Sequence, residues 1–512
     1  MNSMNKWVVA IVVMVPTLIE IVDMSVVNVA LDHIRGSLSA GIDESTWTIT
    51  TYLVSNAIII PITGWLSRLL GRKVYLLFSI ALFTASSLLC GLAWNLESLI
   101  VFRIFQGLGG GALQPISQSI LLETFPPRQH GIAMAFFGLG IMFGPIIGPL
   151  MGGWITDNWS WHWIFFINVP IGALSLLLTF LVIKDPPYMM RIRMKMDYFG
   201  LLFIVAGLGC LQVVLDKGER EDWLASNLIL WLSIIALVSL ALFVLTELWA
   251  EAPVVNLRIF RNASFSAGNT IMFFAFFIMF SSIVLLPLYL QTLMGYTATL
   301  AGVVLGPGGF ATVIALLIGG PLVTKVNPKG ILLFGIIMLA LSVYLMSAFN
   351  LLASFEAIMG PRILLGFGMG FIFIPLVNLT LSTVRKEDMA NATAIFNLLR
   401  NLGGSFGVAF VTTLLARRAQ FHQLRLVDHL TPFDLPYQFM LQKGRALFSA
   451  HGLEGMLADK GVLGLIYKNL IREAAMLAFN DTFYLLSIMA VCLVPFVYIL
   501  RRGTQTDLGP VH

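Results

Sequence analysis

The sequence predicts an all-α membrane protein with fourteen transmembrane helices. Of its 512 residues, 58% are hydrophobic and 11% are charged, so the chain lacks the polar residues needed to cover a water-soluble globule of this size. A helix needs about 20 mostly apolar residues to cross the roughly 30 Å hydrocarbon core. Fourteen such stretches, separated by short polar breaks, begin near Trp7, Trp47, Val74, Ser98, Ile132, Trp163, Tyr198, Leu228, Phe265, Thr299, Ile331, Ala357, Met389 and Thr482.

The positions of Lys and Arg predict the orientation of these spans. An even number of spans puts both termini on one side, and the basic residues concentrate in the loops of that side. The short loops of the other side hold only Arg35, Lys217 and Arg220. Because basic loops stay in the cytoplasm, we expect cytoplasmic termini. The net charge of +5 is then a topology signal and does not indicate nucleic-acid binding.

An arginine–glycine motif occurs twice and indicates two related halves. RIFQGLGGGALQP begins at Arg103 in the fourth predicted span, and RILLGFGMGFIFIP begins at Arg362 in the twelfth. In both copies, glycines follow the arginine at +4, +6 and +8. The copies lie eight spans apart, which indicates two six-helix bundles with two inserted helices. We expect a first bundle over residues 1–197, the inserted helices over 198–250 and a second bundle over 251–512.

Motifs for nucleotides, metals and catalysis are absent from the sequence. The chain has no G-x-x-x-x-G-K-[ST] loop, no H-E-x-x-H motif and no Cys/His cluster. Its three cysteines, Cys90, Cys210 and Cys492, fall in separate predicted spans and are interpreted as apolar fillers. We therefore predict no cofactor, no metal and no enzymatic activity. Repeated halves are typical of membrane transporters, and a transporter without an ATP site would draw on an ion gradient.

Ionisable residues inside a membrane are costly and are by default functional candidates. Glu20 and Asp23 lie three residues apart in the first predicted span, on one side of the helix with Thr17, and Asn28 lies near its edge. We expect them to face one cavity, where two neighbouring carboxylates cannot both stay ionised at low cost. Such a group can load and release a proton. The alternative is a carboxylate near the outer interface that merely meets water.

Three arginines, Arg103, Arg362 and Arg400, are predicted to lie inside the membrane. Arg103 shares the first bundle with Glu20 and Asp23, where a cation could stabilise a deprotonated carboxylate. Each arginine could instead cap backbone carbonyls or extend to an interface. The polar residues expected to line the cavity are Asn28, Gln106, Gln114 and Arg400.

The fifth predicted span contains the stretch GLGIMFGPIIGPLMGG, which is rich in glycine and proline. Glycines that recur every four residues give a smooth face for close helix contact, and the prolines permit a bend. We expect this face to serve two bundles that rock against each other, and static tight packing is the alternative. The motif residues are Gly140, Gly144, Pro145, Gly148, Pro149, Gly152 and Gly153.

A long loop on the outer side is predicted over about residues 416–480. Apolar residues recur within it at steps of three and four, which predicts an amphipathic helix over 462–478. This helix could lie flat on the outer membrane surface, or it could dock a partner protein. The docking candidates are Leu463, Ile466 and Leu470.

These residues resemble signatures of the major facilitator superfamily, in particular its fourteen-helix drug:proton antiporters of the EmrB type. The similar stretches are VDMSVVNVAL, RIFQGLGGGAL, FGPIIGPLMGG, WIFFINVPIG and LDKGEREDW, and the resemblance covers nearly the whole chain. It implies the major facilitator fold, with Asp23 as a proton-coupling residue and Arg103 in proton transfer. It also implies that the glycine stretch is the antiporter motif of exporters.

The resemblance implies proton-driven efflux of hydrophobic toxic compounds across the inner membrane by alternating access. It further implies a tripartite pump with a periplasmic adaptor and an outer-membrane channel. One alternative is a proton-coupled importer of nutrients or peptides, against which the glycine–proline motif argues. Another is a membrane protein of a different class, such as an integral enzyme or a receptor, but the sequence shows no catalytic or ligand-binding constellation for it. Two residues depart from the family pattern. Arg68 stands where the general pattern has Asp, and Glu20 stands where relatives tend to carry a neutral polar residue, so an extra carboxylate could alter proton number or favour cationic substrates.

Overall fold

The computed structural model describes residues 5–126, 129–185, 197–250, 253–450 and 455–501. Within them, nothing is described of the side chains of Ile42, Met142, Phe143, Pro145, Ile146, Pro149, Leu150, Ala298 and Thr299. The helices are α1 (Lys6–Ser37), α2 (Ile42–Leu70), α3 (Arg72–Gly91), α4 (Leu96–Gly110), α5 (Leu113–Thr124), α6 (His130–Asn158), α7 (Trp163–Phe166), α8 (Asn168–Val182), α9 (Tyr198–Lys217), α10 (Asn227–Trp249), α11 (Ala263–Thr292), α12 (Ala298–Lys325), α13 (Pro328–Met346), α14 (Phe355–Leu381), α15 (Met389–Val427), α16 (Leu435–Ala450), α17 (Met456–Val491) and α18 (Val494–Ile499).

The helices account for the fourteen predicted spans. Thirteen helical segments in the described part are long and apolar enough to cross a membrane. The fifth predicted span corresponds to α6, which has 29 residues and is apolar over 130–141. One span is divided at Gly111 and Ala112 into α4 and α5. We call the side nearest Asn5 and Arg501 the terminal side, and the other the opposite side.

The two copies of the arginine–glycine motif pack in the same way in the two bundles, α1–α8 and α11–α18. A Cβ added at Gly107 on α4 would collide with the backbone of Tyr52 on α2, and one at Gly366 on α14 would collide with the backbone of Gly308 on α12. The sequence repeat therefore corresponds to the same helix–helix contacts in both bundles. The further matching pairs are Gly109 on Phe83, Gly368 on Leu339, Gly111 on Asn56 and Gly370 on Thr312.

The two bundles meet on the terminal side. There α6 packs on α12 and α2 packs on α15. A Cβ added at Gly131 would lie 2.7 Å from the carbonyl oxygen of Gly320, and one at Gly64 would lie 2.8 Å from Cα of Asn391. Glycine lets helix backbones touch at both places, so the space between the bundles is closed at this end.

The repeated glycines of α6 face α1, within the first bundle. A Cβ at Gly140 would collide with Met14, one at Gly144 with Ile21 and one at Gly148 with Ser25. The expectation that this face lies where the bundles rock against each other is therefore wrong, because the bundles meet through Gly131 and Gly138 on α6.

The remaining motif residues of α6 divide into three groups. Gly152 continues the face, since an added Cβ would lie 3.0 Å from Val26. Gly153 has open space beside it and is outside the face. Pro145 and Pro149 fall outside the described side chains.

The inserted helices α9 and α10 pack on each other, and α9 also lies against α2 and α15. Near the opposite side, Thr50 on α2 donates a hydrogen bond to Asp216, and Gln212 donates one to Ser405 on α15 at 3.1 Å. The inserted pair therefore contacts both bundles.

Two helices project far beyond the membrane on the opposite side. The 39 residues of α15 and 36 of α17 extend about 58 and 54 Å, against a hydrocarbon core of roughly 30 Å. Asp481 on α17 links them by accepting a hydrogen bond from Arg418 Nε at 2.7 Å and lying 2.6 Å from His422 Nε2. We call residues 416–450 and 455–478 the stalk.

The prediction of a long loop over residues 416–480 is wrong, because the described residues of this segment lie mainly in α15, α16 and α17. The amphipathic helix predicted over 462–478 exists, but it continues without a break into the last span, so it does not lie flat on the membrane surface. Its buried positions are four apart and face α15 and α16: Ala458, Val462, Ile466, Leu470 and Ala474.

The predicted docking residues differ in their exposure. Ile466 and Leu470 are covered by the chain itself, at 8% and 7% exposure, and Leu463 is 48% exposed. Of the three, Leu463 alone therefore has a free surface for a partner in this conformation.

Replacement of Gly144 by Leu should destabilise the protein, because the added side chain must enter the contact between α6 and α1. Overpacking of this kind costs about 1–3 kcal/mol. Gly153→Leu, on the same helix but beside open space, is the matched control. The measurement is the unfolding temperature of the two purified variants; equal values for Gly144→Leu and wild type would contradict the close contact.

Candidate functional site

Asp23 on α1 is the centre of a buried polar network inside the first bundle. Its carboxylate accepts hydrogen bonds from Arg103 Nη1 at 2.7 Å, Gln106 Nε2 at 3.0 Å and Asn168 Nδ2 at 2.7 Å. Asp23 and Arg103 are each 1% exposed. A charged pair so far from water must satisfy its donors and acceptors within the protein, and this network does so.

Arg103 has further partners that fix its guanidinium independently of Asp23. Its Nε donates to the backbone oxygen of Thr48 at 3.2 Å, and Nη1 donates to Gln106 Oε1 at 2.8 Å. The ring of Tyr52 lies 4.0 Å from Cζ of Arg103, a cation–π contact. The arginine would therefore keep its place if the carboxylate became neutral.

Glu20 belongs to a second network, one turn from Asp23 on α1. Its carboxylate accepts hydrogen bonds from Gln114 Nε2 at 2.6 Å, Asn56 Nδ2 at 3.1 Å and the Tyr52 hydroxyl at 3.3 Å. Tyr52 is the link between the networks, because its ring covers Arg103 while its hydroxyl reaches Glu20.

The Glu20 network extends across to the second bundle through Arg400 on α15. Nη2 of Arg400 donates to Gln114 Oε1, so Gln114 joins a carboxylate of one bundle to a cation of the other. Asn397, one turn earlier on α15, donates to Gln118 Oε1 at 2.6 Å. These hydrogen bonds join the bundles on the closed terminal side.

The two carboxylates were expected to face one cavity, and the structure instead gives each its own partners. Gln106 and Gln114, both predicted as polar cavity residues, separate accordingly: Gln106 bonds Asp23 and Gln114 bonds Glu20. Arg400, which was also predicted to line the cavity, is buried and donates a hydrogen bond to Gln114. Asn28 is exposed and joins neither network.

Three members of the networks were not identified from the sequence: Tyr52, Asn56 and Asn168. All three are buried in membrane-spanning helices, where an amide or hydroxyl without a partner is costly. Their polarity within otherwise apolar spans was the available signal. Asn168 also donates to Ser87 Oγ at 3.0 Å, which orients its amide toward Asp23.

This arrangement can hold and exchange a proton. Asp23 is the titratable member of a buried ion pair, and its protonation would remove one charge while Gln106 and Thr48 still accept from Arg103. The electrostatic attraction between α1 and α4 would then weaken. Asp23 can therefore change its charge while Arg103 keeps its other two acceptors.

Two six-helix bundles with a buried acid–arginine pair in one of them are the architecture of a membrane transporter. The chain belongs to the Major Facilitator Superfamily, whose family model matches residues 13–408.

Curated relatives match over almost the whole chain. Fatty acid resistance protein FarB of Neisseria gonorrhoeae is 34% identical over 96% of this chain and 95% of its own length. Multidrug export protein EmrB of Haemophilus influenzae is 38% identical over 82% of both chains. EmrB of Escherichia coli is 34% identical over 95% of this chain and 93% of its own length.

Solved structures show the same fold. A double Trp mutant of XylE superposes with a TM-score of 0.64 at 15% identity and covers 98% of this chain and 97% of its own. The human organic anion transporter MFSD10 superposes with a TM-score of 0.61 at 11% identity, covering 95% of this chain and 100% of its own.

Asp23→Asn should destabilise the protein, because it leaves the Arg103 charge buried without its acid. Breaking a buried ion pair costs about 3 kcal/mol or more. The double variant Asp23→Asn/Arg103→Gln should recover much of that loss, since no lone charge remains. Unfolding temperatures of the purified variants measure this, and purely additive effects would argue against the pair.

Proposed function

We propose that this protein exports hydrophobic toxic compounds in exchange for protons, and that its two bundles alternate access between the two sides of the membrane. The observation that carries the proposal is the Asp23–Arg103 pair at 2.7 Å, buried in the first bundle. A carboxylate with its own arginine inside the membrane is a site for the coupling proton.

The position of Asp23 on α1 offers a path from protonation to movement. Asp23 lies between Ile21 and Ser25, the two residues that meet Gly144 and Gly148 of α6. The opposite face of α6 packs on α12 of the second bundle. A weaker electrostatic attraction between Arg103 and Asp23 would therefore change the packing of α1 on α6. Because α6 also contacts α12, this change would reach the interface between the bundles.

The hydrogen bonds from Arg400 to Gln114 and from Asn397 to Gln118 act as a latch on the terminal side. Both must break when the bundles separate at that end. Gln114 also holds Glu20, so opening exposes a carboxylate and a guanidinium to the same space. We assign Glu20 a role in sensing the substrate, secondary to the coupling role of Asp23.

The terminal side corresponds to the cytoplasm in this proposal, because its loops carry most of the Lys and Arg residues. The structure would then be a state of an inner-membrane exporter that is closed to the cytoplasm. One proton crossing about 150 mV supplies roughly 3.5 kcal/mol, enough for a concentration ratio of several hundred.

The substrate class follows from the relatives and from the aromatic residues beside the latch. The relatives bear the names multidrug export protein and fatty acid resistance protein. In this chain Phe276 lies against Arg400, and its ring is 6.2 Å from Phe280 and 6.4 Å from Phe373. Phe276 and Phe373 are 2% and 1% exposed here, so these rings would contact a hydrophobic compound only once the bundles separate.

The stalk is the proposed contact with a periplasmic adaptor, and through it with an outer-membrane channel. Its α15–α16 turn and α16 expose large apolar side chains well beyond the membrane, among them Phe433 at 91% and Leu435 at 78%. Apolar residues exposed together mark an interaction surface. Leu463 of α17 is a further exposed candidate.

Asp23→Asn should abolish uphill export, because it removes the titratable group with little change of shape. The assay is proton-driven uptake of ethidium or laurate into everted membrane vesicles, normalised to the protein present. Glu20→Gln is the comparison and should retain uphill transport, with a larger loss for ethidium than for laurate. Concentrative uptake by Asp23→Asn would refute the coupling role, and proton movement in the direction of symport would favour an importer.

Serine substitution of Phe433, Leu435 and Phe439 together should abolish drug resistance of cells and crosslinking to the adaptor. Vesicles with this variant should still exchange protons for the compound, because the transport site is untouched. Leu352→Ser, which alters another fully exposed residue on the opposite side, is the control. Loss of vesicle transport as well would show that these residues stabilise the chain instead.

A further inference from the structure

The second bundle contains an arginine that mirrors Arg103 but has no acid. Arg103 and Arg362 each lie seven residues after the first residue of their helix, α4 or α14. The glycines four residues after each arginine pack on the backbone of Tyr52 in α2 and of Gly308 in α12. The two arginines thus occupy equivalent places in equivalent helix pairs.

The position that mirrors Asp23 follows from a second set of contacts. On α6, Gly144 and Gly148 meet Ile21 and Ser25 of α1, and Asp23 lies midway between those two residues. On α15, the equally spaced Gly403 and Gly407 meet Phe273 and Phe277 of α11, and Ala275 lies midway between them. The acid of the first bundle is therefore an alanine in the second, and α11 contains no Asp or Glu.

The aromatic partner is lost as well. Tyr52 covers the guanidinium of Arg103, and the equivalent Gly308 has no side chain. A Cβ added at Gly308 would lie 2.7 Å from Arg362 Nε, so Arg362 lies directly over the bare backbone of α12.

Arg362 is consequently a buried cation without a counterion in the described part of the chain. It is 8% exposed, and its Nε and Nη1 are buried without a hydrogen-bond partner. No carboxylate oxygen of the described residues lies within 4.0 Å of it. An isolated buried charge is strongly disfavoured unless an ion of opposite sign joins it.

We propose that Arg362 is an anion-binding site, in which a bound monovalent anion takes the place that Asp23 holds in the first bundle. The site lies about 10 Å from the opposite-side end of α14, at 1.5 Å per residue, on the side where α14 begins. The anion is a carboxylate group of an organic acid or a halide. The site does not depend on the direction of transport or on proton coupling.

The test uses the purified full-length chain in detergent at constant ionic strength, set with sodium methanesulfonate. Sodium benzoate, sodium chloride and uncharged benzamide are titrated separately, and the unfolding temperature is followed by intrinsic tryptophan fluorescence. The wild type should show a saturable rise with benzoate or chloride and none with benzamide. The active salt identifies a carboxylate or a halide as the occupant.

Two substitutions assign the response to Arg362. Arg362→Gln removes the cation, and Ala275→Asp supplies an internal acid, so both should weaken the apparent affinity for the anion at least about tenfold. Ala275→Gly, which adds neither a charge nor a side chain to the place proposed for the anion, should keep the response and controls for substitution at this position. If neither Ala275 variant folds, Arg362→Lys, which preserves the charge, should retain binding that Arg362→Gln loses.

Absence of a saturable anion response in the wild type would overturn the proposal. An unchanged affinity in both Arg362→Gln and Ala275→Asp would also overturn it, because the anion would then bind elsewhere.

Discussion

The ion pair between Asp23 and Arg103 is the interaction on which the rest of the first bundle depends. Two opposite charges in the membrane interior are tolerated only when every remaining donor and acceptor is also satisfied. Gln106, Asn168 and the backbone of Thr48 supply those partners. The pair thus requires polar residues from α2, α4 and α8 to converge on α1, and it fixes how these helices are rotated.

Glycine makes that convergence sterically feasible. In lipid, helices are held together by packing and hydrogen bonds rather than by the hydrophobic effect, so close backbone contact is the main source of association. Gly107 brings α4 onto α2 beside Arg103, and Gly144 brings α6 onto α1 beside Asp23. The glycines therefore allow the helices to pack closely enough for the buried polar groups to reach hydrogen-bonding distance.

The sequence was sufficient to predict the spans, the repeat and five of the buried charged residues, because hydropathy and spacing report directly on them. Arg72, Lys217 and Glu247 are also buried and were not predicted. The sequence was not sufficient to predict which groups pair. Glu20 and Asp23 lie on one side of α1, only about 60° apart around the helix axis, yet they bind different partners on the other helices. Likewise, the glycine period in α6 shows that a face packs closely but cannot show that α1, and not the second bundle, covers it. In the stalk, apolar steps of three and four fitted more than one face, and only the contacts with α15 and α16 select the one with Ile466 and Leu470.

In the proposed cycle, Asp23 carries the proton that exchanges with substrate. The most direct measurement is proton release from the purified chain in weakly buffered detergent solution when ethidium or laurate is added. The wild type and Glu20→Gln should release protons, and Asp23→Asn should release none at concentrations where the compound still binds. Undiminished release by Asp23→Asn would contradict it, because the exchanged proton would then come from another group.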